Sequence, residues 1–171
     1  MPKHRLPSRM VNIDILGARG QVVDTEVLVR SLQHVDGGEG LALDADLICG
    51  RDHIASAVMH ASRAFERGDN VSSSIAGETI LYASGERQIS KAVKKMGVRI
   101  GTERVALVLF GVDDPERVLR DLHFERDDHV LEASMEKAIR FGISREEIKA
   151  VPADMVEDLV LERVAFVGLQ K

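Results

Sequence analysis

Ser84-Gly85-Glu86-Arg87-Gln88, followed by Lys91, Lys94 and Lys95, is the stretch whose residue types best fit a ligand. Ser84 has the side chain of a helix N-cap and Gly97, lacking a Cβ, is the residue type that closes a helix, so the spacing predicts a helix from about Gly85 to Met96. Ile89, Ala92, Val93 and Met96 would form its buried face, and Arg87, Lys91, Lys94 and Lys95 a second, basic face. Amides at a helix start lack intrahelical partners and point outward, and Gly85 would let a ligand come close to them. A phosphate or ribose placed there meets Arg87, a forked donor, and Gln88, an amide able to read a base edge. The same residues also describe a capped helix with a solvated basic side, its last lysines complementing the helix dipole. The local pattern leaves both readings open.

The remaining reactive side chains give little support for catalysis. His53 and His60 are seven apart, on the stripe His53, Ser56, His60, Arg63 and Arg67 of a predicted helix over 52–66. Zinc sites on helices use i, i+4 histidines with a third ligand, which this spacing does not supply, so no metal is expected. These histidines read as surface residues, or as the lining of a groove beside the basic helix together with Arg63. Cys49 reads as a small buried residue. Glu78 interrupts an apolar run; if buried it needs Arg87 or a backbone amide as partner, and otherwise it faces solvent. The chain has no P-loop, dinucleotide fingerprint, HExxH or GxSxG. An enzyme acting on phosphate esters, with Ser84-Gly85 as anion site and His53 or His60 as base, is the alternative that remains.

Composition narrows the class. With 171 residues, 44% apolar and 30% charged, the sequence fits one globular domain. Apolar runs are of strand length, which predicts no membrane span, and no signal peptide is expected from the start of the chain. A lone cysteine excludes an internal disulfide and suits a reducing cytoplasm. The net charge is −5, yet residues 86–104 carry six basic and two acidic side chains, leaving about −9 elsewhere. A focused basic element on an acidic body fits a local contact with a polyanion, or a solvated helix face.

The elements that must position these residues alternate in type. Val11, Ile13 and Ile15, and then Leu41 to Leu47, have the period of half-buried strands. Val105–Phe110 is continuously apolar, as a central strand covered on both faces would be. Val164–Val167 reads as a fourth strand. Asp114-Pro115 marks a helix start, Ser144 to Glu147 a capping box between Ile143 and Ile148, and Pro152 the start of a last helix reaching about Arg163. The expected fold is α/β (α+β): a small mixed sheet of about four strands covered by helices, spanning 11–171 behind a mobile tail over 1–10.

Three blocks resemble the KEOPS regulatory subunit family, the kinase-binding protein TPRKB family of eukaryotes. They are Asp44-Ala-Asp-Leu-Ile-Cys-Gly-Arg-Asp-His53, Glu78-Thr-Ile-Leu-Tyr-Ala-Ser-Gly-Glu-Arg-Gln-Ile89, and Leu161-Glu-Arg-Val-Ala-Phe-Val-Gly-Leu169. The resemblance implies a non-catalytic subunit of the tRNA threonylcarbamoyladenosine modification complex, without a cofactor. It implies binding to the complex's atypical kinase/ATPase and, in archaeal members, to the 3′ CCA end of tRNA. Carried onto these residues, Ser84, Gly85, Arg87, Gln88 and Lys91 centre the RNA contact, with His53, His60 and Arg63 beside them. With one tyrosine and no tryptophan, base stacking should be limited, leaving apolar contacts and guanidinium stacking to contribute. The family places the kinase contact on the C-terminal helix and strand, here Met155, Val156, Leu159, Val160 and Leu161. These residues are also candidates for the domain's own core.

Overall fold

The computed structural model describes residues 12–169; the expected tail over 1–10, Val11 and the last two residues lie outside the described range. Four strands order as β2-β3-β1-β4, from β1 (Ile13–Arg19), β2 (Glu39–Asp44), β3 (Arg104–Phe110) and β4 (Glu125–Arg126). Every pair is antiparallel, so the expected mixed sheet is corrected to an antiparallel one. Among the described residues no strands pair in parallel, so none of the helices serves as the crossover a mixed sheet would need.

β3 lies inside the sheet with Val105 to Phe110 all buried, as its unbroken apolar run requires. Its side chains alternate between two cores. Ala106, Val108 and Phe110 face one, with Ile15 and Leu43; Val105, Leu107 and Leu109 face the other, with Leu16, Ala18 and Ala42. The smaller core is closed by α1 (Thr25–Gln33) and α5 (Pro115–Asp121), through Leu28, Leu32, Val118 and Leu119. The larger core is closed by α2 (Arg51–Arg67), α3 (Ile75–Ser84), α4 (Ile89–Met96), α6 (Met135–Phe141), α7 (Arg145–Lys149) and α8 (Val156–Leu169). The result is an α+β fold with helices on both faces of the sheet.

Local punctuation behaves as the sequence indicates where side chains act on adjacent backbone. Asp114 caps α5 with Pro115 in its first turn, and Ser144 and Glu147 form a complete capping box on α7. Ile143 and Ile148 are both buried in the larger core. Two expectations fail. Residues 45–47 form a 3-10 turn after β2 instead of extending it. Val164–Val167 is not a strand but part of α8, which puts Val156, Val160, Val164 and Val167 on one buried stripe. The fourth strand is the two-residue β4, too short to announce itself by periodicity.

Candidate nucleic-acid interface

α3 fixes the position of the Gly85 turn. Ser74 caps its start by accepting the Gly77 amide, and the Glu39 carboxylate on β2 accepts the Ala76 amide at 3.0 Å. Glu78 is fully buried and accepts amides from Val71 (3.0 Å) and Ser72 (2.8 Å), so backbone donors offset its burial. Ile80 to Ser84 are all buried, and the helix stops where Gly85 turns left-handed at φ 74°. The Gly85 amide donates to Tyr82 O and the Glu86 amide to Leu81 O, each at 3.2 Å, a Schellman close. Ser84 Oγ donates to Leu81 O and accepts the Glu86 amide.

Ser84-Gly85 is therefore the end of one helix and not the start of the next. The expected N-cap role of Ser84 is wrong: the amides of Gly85 and Glu86 are consumed by α3. The next helix, α4, begins at Ile89 after Gln88, whose side chain makes no capping bond. The face assigned to α4 also needs correction. Ala92 and Met96 are buried, but Ile89 and Val93 are 38% and 50% exposed and border a groove shared with α1 and β2.

Two clefts meet at Gly85. One, of about 400 Å³, is lined by Gly85, Glu86, Arg87, Gln88 and Lys91. The other, also about 400 Å³, is lined by Ser84, Gly85, Lys95, Phe141, Gly142, Arg163 and Phe166. Lys95 Nζ donates to Ser84 O at 2.8 Å and sits 4.1 Å from the Phe141 ring centroid. Burial pulls its pKa below the usual lysine value, with Glu86 opposing that shift. Arg163 donates to Glu147 at 2.5 Å, and Phe166 is 45% exposed beside it on α8. The first cleft offers cations and an amide, the second an exposed aromatic ring and a cation. Phosphates and unstacked bases need such groups.

The histidines do not join this surface. His53 is fully buried: its Nδ1 accepts the Cys49 amide at 3.0 Å and its Nε2–H donates to Ala83 O at 2.7 Å. An amide can only donate and a carbonyl can only accept, so the two partners fix the neutral tautomer. Burial lowers the His53 pKa to about 4. The ring also meets Phe141 edge-on at 5.2 Å. His53 is thus a brace behind the clefts and neither an RNA contact nor a base, which removes the phosphate-ester alternative's nearest catalyst. His60 stacks on Tyr82 at 5.4 Å, its pKa lowered first by burial and then by Arg63 and Arg67. His60 and Arg63 line neither cleft.

On the proposed partner surface, Val156 and Val160 are 6% and 0% exposed and complete the core, so they are corrected out of it. Met155 is exposed, while Leu159 and Leu161 are half-buried. Phe166 and Leu169 are exposed apolar residues of α8 that the sequence reading did not single out. Reading Val164–Val167 as a strand hid them; on a helix, Arg163 and Phe166 fall one turn apart.

Comparison with known proteins decides the family. A model of the kinase binding protein CGI-121 family matches residues 22–168. The chain belongs to that family. The regulatory protein Cgi121 of Methanocaldococcus jannaschii is 28% identical over 157 residues, covering 92% of this chain and 98% of the relative. The KEOPS complex subunit Cgi121 of Pyrococcus abyssi is 36% identical over 70 residues, covering 41% of this chain and 40% of the relative. Among the described residues of this CGI-121 family member, no helix is long and apolar enough to cross a membrane.

Proposed function

We propose that this chain is a non-catalytic subunit of the KEOPS tRNA threonylcarbamoyladenosine modification complex, binding the kinase/ATPase subunit and the 3′ CCA end of tRNA. The names of its relatives, a regulatory protein and a KEOPS subunit, support the complex. The observation that carries the RNA contact is the junction at Gly85 of a cation-lined cleft with one walled by Phe166, on a chain of net charge −5. Single-stranded RNA ends present phosphates and unstacked bases side by side, and the two clefts suit these in turn. Arg87, Gln88 and Lys91 then hold the backbone and a base edge, while Phe166 supplies the stacking surface that tyrosine and tryptophan do not.

The experiment is binding of the isolated protein to tRNA with and without its terminal CCA. Removing CCA is expected to abolish most of the affinity. Arg87→Glu or Lys91→Glu should each weaken binding roughly tenfold at moderate salt. Phe166→Ala should cost about 1–3 kcal/mol if a base stacks there. Equal binding of tRNA lacking CCA would remove the assigned site.

A further inference from the structure

Resting on the RNA-end reading above, we infer that α4 is a track for the sugar-phosphate backbone of nucleotides preceding the bound 3′ end, with Lys94 and Arg99 as additional contacts. Lys91 already lines the cleft at Gly85. Lys94 is exposed one turn further along the same solvent face, because Ala92 and Met96 turn the opposite face into the core. Arg99 lies beyond the helix end, exposed, and its guanidinium donates to Lys94 O at 2.6 Å. That bond pins a fourth cation to the end of α4. Lys91 and Lys94 on a helix about 12 Å long, with Arg87 before it and Arg99 after it, thus form a strip. Lys95 is not part of it, being committed to Ser84 O and the Phe141 face.

Charge sets the direction. Within 86–99 the only carboxylate is Glu86. Among the described residues, Lys91 and Lys94 have no carboxylate within ion-pair distance, and Arg99 has none that close but shares a cleft with Asp44, Asp46 and Glu103, whereas Arg163 on the other side of the clefts is paired with Glu147. That other side is α8, where Asp158 and Glu162 are exposed. A polyanion seated at Gly85 meets repulsion over α8 and attraction along α4, so its chain leaves along α4.

The test compares the RNA trinucleotide CCA with a longer single strand ending in CCA, both titrated against the isolated protein over a range of salt. The longer strand should bind more tightly and with a steeper salt dependence. Lys94→Gln combined with Arg99→Gln should flatten that slope by about 1.4, and return the longer strand to the trinucleotide's affinity without changing the latter. Arg99→Lys in place of Arg99→Gln should keep part of the gain, separating charge from the lost bond to Lys94 O. A longer strand no tighter than CCA, or a gain that survives the double substitution, overturns the track while leaving the end site intact. Failure of both RNAs to bind the unaltered protein overturns the end site itself, and the track with it.

Discussion

His53 shows how a residue with reactive chemistry can serve architecture. Two backbone groups, the Cys49 amide and the Ala83 carbonyl, hold its ring neutral, and burial keeps it so down to about pH 4. The unfolded chain's imidazole titrates near 6.5. Between those values the unfolded state binds the proton and the folded state does not, so stability falls as pH drops from about 6.5 toward 4. The loss across that window is about 3 kcal/mol. Urea denaturation at several pH values should show it, and His53→Gln should flatten that part of the profile. At this scale the sequence was ambiguous: a histidine on a stripe with Ser56, His60 and Arg63 looks solvent-facing. Only the packing of α3 across the first turns of α2 reveals the contact with Ala83, thirty positions away.

Two helix-end glycines differ in the strain that a side chain would meet. At Gly85 an added Cβ would meet only Phe141, at 3.8 Å, so Gly85→Ala should cost only the left-handed strain, about 1 kcal/mol. At Gly50, which precedes α2 at φ 97°, a Cβ would lie 2.1 Å from a Glu157 carboxylate oxygen. Gly50→Ala should cost about 1–3 kcal/mol, mostly strain, because φ 97° with ψ 159° is open essentially to glycine alone; the Glu157 carboxylate is the end of a flexible side chain and can swing aside. Thermal denaturation of both variants checks the order. Elements announced by adjacent side chains, such as Asp114-Pro115 and Ser144 with Glu147, were legible in the sequence. Ser84-Gly85 was not, because a serine before glycine fits both a helix start and a Schellman close. The helix Ile75 to Ser84, buried throughout from Glu78 on, made it the close. Val164 to Val167 failed for a related reason: four apolar residues carry no period of their own, and only continuity from Val156 makes them helical.

Over the whole molecule, the sign of the charge differs between two sides. α4 carries exposed Lys91 and Lys94 beside exposed Ile89 and Val93, while α8 carries Asp158, Glu162 and exposed Phe166 and Leu169. If the kinase covers α8, Met155→Asp or Leu161→Asp should lower co-purification of the kinase subunit at least tenfold, and Met155→Asp should leave the melting temperature nearly unchanged because that side chain is 44% exposed, whereas Leu159 packs against the larger core. Unaltered co-purification of both variants would place the kinase elsewhere. Val156 and Val160 are unsuitable probes because their loss empties the core.

The strand order β2-β3-β1-β4 has a consequence for synthesis. The two strands made first, β1 and β2, do not touch; each pairs with β3, which is translated after both. Until Arg104–Phe110 leaves the ribosome, neither β1 nor β2 can pair with the strand that joins them in the finished protein. The nascent chain must wait with two open edges, protected only by whatever helices have already condensed around them.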